Sequence, residues 1–224
     1  MQAFEVEVKT LLGDAKKAET LRRRMREVDA DTKLISKNVQ LNHYFIDGDL
    51  SALSVPLEGH LSPEARAKLE DLAGRAKSFS LRTRDKDGTV LLVLKASVGD
   101  DTSANGVARM EFEEKVALSL ETLDELVQKA GFRYQAKWSR GREEYLCKVV
   151  AVCLDKNAGY GWLAEFEQVV QNEGEVEAAR TEIYTLMREC GVEELPQERL
   201  ERMFAFYNTH WPDYYGTDKI FTVA

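Results

Sequence analysis

The feature that most narrows the fold of this chain is a period-two alternation of charge along its strand-like segments. Successive side chains of a β-strand point to opposite faces. In Phe4-Glu5-Val6-Glu7-Val8-Lys9 one face collects Glu5, Glu7 and Lys9, and the other Phe4, Val6 and Val8. Arg82 and Arg84 share a face of Ser80–Arg84, and Lys95 closes the apolar run Val90–Leu94. Arg109, Glu111 and Glu113 oppose Met110 and Phe112, Arg140 and Arg142 straddle Gly141, and Glu165 and Glu167 flank Phe166. An antiparallel sheet with one polar and one apolar face accommodates such segments. A solvated face explains any one strand. The set is harder to explain that way, because like charges adjacent on a strand face are unfavourable unless something compensates them. Divalent metal compensates paired glutamates, since hard cations prefer carboxylate oxygens. A phosphate chain compensates paired arginines, whose forked donors match its oxygens.

Composition removes several other function classes. The 224 residues are 44% apolar, enough for a sizeable core, and contain no uncharged apolar stretch approaching the ~20 residues of a membrane span. The first residues show neither a basic nor an apolar leader region, and Cys147, Cys153 and Cys190 are an odd set without metal spacing. Reduced thiols and a cytoplasmic protein are the expectation. A net charge of −8 argues against nucleic acid or an anionic membrane as partner. His43, His60 and His210 lack zinc spacing, Arg22-Arg23-Arg24 with Arg26 reads as a solvated helix face, and Gly159-Tyr160-Gly161 reads as a tight turn.

Strands are expected at Phe4–Leu12, Lys33–Ile46, Phe79–Arg84, Thr89–Ala96, Val107–Val116, Phe132–Ser139, Arg142–Asp155 and Gly161–Val170. Helices are expected at Ala15–Val28, from Ser62-Pro63 to Lys77, from Ser119 to Gly131, and near Glu175–Cys190 and Gln197–Asn208. A polar loop at 97–106 and an aromatic tail (Trp211, Tyr214, Tyr215, Phe221) complete one antiparallel α+β domain.

Glu5-Val6-Glu7-Val8-Lys9 resembles the E-x-E-x-K signature of the CYTH, or triphosphate tunnel metalloenzyme, superfamily. The similarity continues in order through Gln40-Leu41-Asn42-His43-Tyr44-Phe45, Leu81-Arg82-Thr83-Arg84, Lys95, Arg109-Met110-Glu111-Phe112-Glu113, a strand ending at Asp155, and Gly161-Trp162-Leu163-Ala164-Glu165-Phe166-Glu167. The resemblance implies a closed eight-stranded antiparallel barrel, a tunnel with polar residues inside and helices packed outside. A tunnel domain over 1–190 is expected, with the C-terminal helix and aromatic tail of 191–224, where no family motif is matched, packed on the same domain. The bound partner would be a small molecule carrying a triphosphate, with Mg²⁺ or Mn²⁺ as cofactor. Lys9, Arg82, Arg84, Lys95, Arg109, Arg140 and Arg142 match phosphate-binding positions, with Lys137 as the competitor for the last group. Arg140-Gly141-Arg142, followed by Tyr145, departs from the family's Lys-x-Arg. Glu5, Glu7, Glu111, Glu113, Asp155, Glu165 and Glu167 match acidic positions that hold metal, and Glu5, Glu7, Lys9, Glu165 and Glu167 would carry catalysis. The implied activity is metal-dependent hydrolysis of a triphosphate. The alternatives are cyclisation of ATP to cAMP and pyrophosphate, or polyphosphate binding without turnover. Neither nucleic acid nor membrane is expected as a partner, and a homodimer stays open. The segment 50–77 is longer than the resemblance leads one to expect.

Overall fold

The computed structural model describes residues 4–97 and 109–222. These contain strands β1 (Phe4–Gly13), β2 (Lys33–Ile46), β3 (Ser78–Lys86), β4 (Thr89–Ser97), β5 (Arg109–Lys115), β6 (Arg133–Cys147), β7 (Val150–Asn157) and β8 (Gly161–Val170). The helices are α1 (Ala15–Val28), α2 (Leu50–Leu53), α3 (Pro63–Arg75), α4 (Leu120–Lys129), α5 (Val176–Cys190) and α6 (Gln197–Tyr214). The strands form one sheet in the order β1-β8-β7-β6-β2-β3-β4-β5. This is the expected α+β class with eight strands. The order is linear, with β1 and β5 at its ends, and among the described residues no pairing closes it into the expected barrel.

The chain divides into two compact units. Among the described residues the first holds 4–39 and 139–222, and the second 40–97 and 109–138, so that β2 and β6 contribute to both.

In the first unit, Val6 and Val8 of β1, Val152 and Leu154 of β7, and Ala164 and Phe166 of β8 form one apolar core with Ala18, Leu21 and Met25 of α1 and Ile183, Leu186 and Met187 of α5. The apolar residues of α1 recur at helical spacing, and Asp14 caps its start by accepting from Lys17 N. Gly191, in the left-handed region at φ 72°, ends α5. In the second unit, Leu92 and Leu94 of β4 and Phe112 of β5 pack with Leu69 and Leu72 of α3 and Leu123 and Val127 of α4. Ser62 and Ser119 cap α3 and α4 through their side-chain oxygens. On β1 and β8 the apolar face lies under helices, and the charged face is turned away from them.

The structure moves one strand boundary. Arg140-Gly141-Arg142 lies inside a continuous β6, and the turn falls at Lys148-Val149. Lys148 takes a left-handed φ of 55°, and its N–H donates to Asp29 Oδ2 at 2.6 Å. No Gly, Pro or Asn marks this turn; a carboxylate distant in sequence stabilises it. The expected strand at 107–116 is found from Arg109, and most of the polar loop at 97–106 lies outside the described residues. The last helix extends to Tyr214, with Pro212 inside it.

The aromatic tail packs within the first unit. Phe221 and Gly159 exchange backbone bonds with their neighbours, Phe221 N to Gly159 O at 2.7 Å and Gly159 N to Lys219 O at 2.8 Å. Tyr160 stands 5.2 Å from Phe221 and 5.6 Å from Tyr207, ring centre to ring centre. Gly161, at φ 73°, needs its lack of a side chain, because a Cβ there would lie 2.2 Å from Gly13 O. Among the described residues no helix is long and apolar enough to cross a membrane.

Phe166 is fully buried between the carboxylates Glu165 and Glu167, which face the other way. Phe166→Ala is expected to cost about 3–5 kcal/mol of stability, read by denaturant titration. Loss of less than about 1 kcal/mol would contradict this packing.

Candidate active site

The polar face of the first unit is assembled by register. β1 pairs with β8 so that Glu7 opposes Glu167 and Lys9 opposes Glu165. β7 pairs with β8 so that Cys153 opposes Glu165, and β6 pairs with β7 so that Arg142 opposes Asp155. Alternation then places Glu5, Glu7 and Lys9, Cys153 and Asp155, Glu165 and Glu167, and Arg140 and Arg142 on one face.

Asp155 is fully buried and carries the densest bonding on this face. Arg142 holds it with Nε to Oδ1 at 2.7 Å and an Nη to Oδ2 at 2.6 Å, and Arg140 adds a contact at 2.8 Å. Arg142 also donates to Glu165, and Lys9 pairs with Glu7 and lies 3.6 Å from Glu165. Burial disfavours charge on Glu165, but Arg142, Lys9 and Arg140 outweigh it and hold the carboxyl well below the usual carboxylate range. Burial likewise opposes charge on Arg142, and Glu165 and Asp155 outweigh it. Same-sign pairs read in isolation along each strand are thus partly compensated by opposite charges on neighbouring strands. Asp155, expected among metal ligands, accepts from two arginines.

Cys153, Glu165 and Glu167 can each bring one donor atom within 4.8 Å of the others. Burial, together with Glu167, Glu165 and Asp155, pushes the Cys153 thiol up to about 12 against the pull of Arg142. Two of the three donors are carboxylate oxygens. Carboxylates suit a hard cation such as Mg²⁺ or Mn²⁺.

The second unit carries its own cationic set. Arg84 Nε donates to Asn42 Oδ1 at 2.8 Å, and its Nη1 donates to Glu113 at 3.1 Å. Arg82 Nη1 donates to Tyr44 OH at 2.6 Å, while its buried Nε has no hydrogen-bond partner among the described residues. Lys95 of β4 is in register with Ser80 and with Glu111. The side chains of Arg109 and Glu111 lie outside what the structure describes. Lys137 Nζ lies 4.0 Å from Asp124 and 4.1 Å from the centre of the Tyr134 ring. The basic cluster of α1 is a set of pairs, with Arg22 on Glu143 and Glu19 and Arg24 on Glu27.

Asp124, which the sequence reading passes over, is 2% exposed and accepts from Thr83 Oγ1 at 2.5 Å and Tyr134 OH at 2.7 Å. His43 Nδ1 stands 2.6 Å from its other side. A signal was available: Asp124 falls on the apolar stripe of α4 with Leu120, Leu123 and Val127.

The profile of the CYTH domain family matches residues 3–199. The chain belongs to the CYTH domain family. The PH1012 protein of Pyrococcus horikoshii OT3 shares its fold with TM-score 0.59 and 20% identity over 85% of this chain and 92% of that one. A Vibrio parahaemolyticus protein proposed to be an adenylate cyclase gives TM-score 0.58 and 14% identity over 90% and 99%. HpAC1 of Hippeastrum, a proposed adenylyl cyclase with a dominant triphosphatase activity, gives TM-score 0.51 and 16% identity over 90% and 96%. No curated protein sequence gives a significant match. In this CYTH chain the E-x-E-x-K segment supplies the charged face of β1, and Glu165 and Glu167 supply that of β8.

Because the folded Glu165 carboxyl is held below its ordinary value near 4.5, its ion pairs stabilise the protein above that value. The contribution fades as pH falls through and below the ordinary carboxylate range. Unfolding free energy is therefore expected to drop less steeply between about pH 5 and 3 in Glu165→Gln than in the wild-type protein, measured by urea titration across that range. Parallel profiles would show that Glu165 is not held by Arg142 in solution.

Proposed function

We propose that the protein is a divalent-metal-dependent triphosphatase acting on tripolyphosphate or an organic triphosphate. The observation that carries this reading is the face of the first unit, where the Glu165 and Glu167 carboxylates share one surface with Lys9, Arg140 and Arg142. A site for a phosphate chain must pair cations with its oxygens and carboxylates with its metal, and both sets are present. Family membership supports the same reading, as does the triphosphatase activity of the Hippeastrum relative. The resemblance matches Arg82, Arg84 and Lys95 of the second unit to phosphate-binding positions too, and that assignment is part of the proposal.

Glu165 and Glu167 would hold Mg²⁺ or Mn²⁺, with Glu5 and Glu7 on the neighbouring strand. Bound there, the ion would neutralise phosphate charge and favour attack by water. The protein's own side chains do the remaining work. The guanidinium groups fix the register of the chain of phosphates and stabilise negative charge as it moves to the leaving group. A water oxygen attacks the terminal phosphorus, the bridging P–O bond breaks, and its electron pair leaves with the shortened polyphosphate. The buried Nε of Arg82 is a donor that a phosphate oxygen could satisfy.

Purified protein is expected to release phosphate from tripolyphosphate with Mg²⁺ or Mn²⁺, to lose that activity in EDTA, and to regain it when the metal is restored. Full turnover in chelator would overturn the metal dependence. Formation of cAMP and pyrophosphate from ATP would favour the cyclase reading, and tight binding of tripolyphosphate without product the non-catalytic one.

Arg82→Ala and Arg84→Ala each remove a charge-assisted contact to phosphate. Each is expected to lower kcat/KM for tripolyphosphate by roughly 10- to 150-fold, about 1.5–3 kcal/mol. Unchanged kcat/KM in both variants would remove the two arginines from the site.

A further inference from the structure

Asp124 sits in the helix-covered core of the second unit, where Leu120, Leu123 and Val127 of the same helix are buried beside it. A helix that only needed to pack would carry a fourth apolar residue there, since an ionised carboxylate is costly to bury. The carboxylate is instead divided among three strands. Oδ1 accepts from Thr83 of β3 at 2.5 Å, and Oδ2 accepts from Tyr134 of β6 at 2.7 Å and faces His43 Nδ1 of β2 at 2.6 Å.

The register shows what this grip holds. His43 opposes Thr83 directly across the β2–β3 ladder. The adjacent pairs are Asn42 with Arg84 on one side and Tyr44 with Arg82 on the other. These same partners bond through their side chains on the opposite face, Arg84 Nε to Asn42 at 2.8 Å and Arg82 Nη1 to Tyr44 at 2.6 Å. One carboxylate thus fastens the middle rung of a three-rung ladder from behind, and the outer rungs carry the two arginines in front.

We propose that Asp124 is a positioning residue for the anion site, setting the place and rigidity of Arg82 and Arg84 through Thr83 and His43. The inference rests on the reading of those arginines as phosphate ligands. Apolar contacts tolerate small slides of a strand, whereas hydrogen bonds to both carboxylate oxygens lose strength when distance or angle drifts. A guanidinium fork must likewise meet its phosphate within a few tenths of an ångström to keep its full benefit.

The test uses the full-length ¹⁵N-labelled chain and reads the Nε–H signals of Arg82 and Arg84 by NMR, assigned with Arg82→Lys and Arg84→Lys. Thr83→Val keeps the shape of the side chain and removes its bond to Asp124; Asp124→Asn weakens the whole set. In both, the Arg84 Nε–H is expected to shift and to exchange with water about tenfold faster, and the Kd for tripolyphosphate to rise about tenfold. Thr83→Ser should restore both. Leu69→Ala, a buried change on α3, should lower Tm while leaving the arginine signals and the Kd in place. A folded Thr83→Val protein with wild-type arginine signals would overturn the proposal, as would signals that move without loss of affinity. If the wild-type protein fails to bind tripolyphosphate, the triphosphatase reading falls, and the arginine signals still decide whether Asp124 positions them.

Discussion

The fork of Arg142 on Asp155, extended to Glu165, is the interaction on which the polar face of the first unit depends. Asp155 has no exposed surface, so its charge must be met inside the protein or not carried at all. Two parallel N–H···O bonds meet it with a geometry that lysine could not reproduce. Because the three residues sit on β6, β7 and β8, the same bonds tie three strands together side by side. Arg140 and Lys9 extend the network to its margins.

This arrangement lets one sheet serve two purposes. Phe166 and its apolar neighbours supply stability beneath α1 and α5, while Glu165 and Glu167, one residue away on either side, face the opposite direction. Stability and site chemistry are separated by a single peptide unit, so each can change without dismantling the other. The second unit repeats the plan, with Leu92 and Leu94 under helices and Arg82 and Arg84 on the polar side. The charges are held by internal partners, so a phosphate chain would have to draw arginines from contacts such as that of Arg84 with Glu113. Exchange of one partner for another costs less than assembly of a site from solvated side chains, because the guanidinium groups are already desolvated and aimed.

Much of this was legible in the chain. The rows Glu5-Glu7-Lys9, Arg82-Arg84 and Glu165-Glu167 follow from alternation alone, since a strand leaves its side chains no other choice of face. Alternation was not the whole account. Tyr134 and Lys137, three residues apart, both reach Asp124. Lys148 turns the chain although its type signals no turn, because Asp29 holds its N–H. Asp124 showed only as a charge on the apolar stripe of α4, and its role was not legible because its partners come from three separate strands, at positions 43, 83 and 134.

The sequence by itself determined which residues could share a face, where most helices start and stop, and that the strands needed an apolar cover on one side. These are consequences of local geometry and repeat period, which act over a few residues. Which charges meet was decided only by the tertiary structure. Register between β1, β8, β7 and β6 set Arg142 against Asp155 and Lys9 against Glu165, and helix packing delivered Asp124 to Thr83 and His43. A Coulombic contact depends on a few ångströms of separation across strands far apart in the chain. No period within one segment encodes that distance.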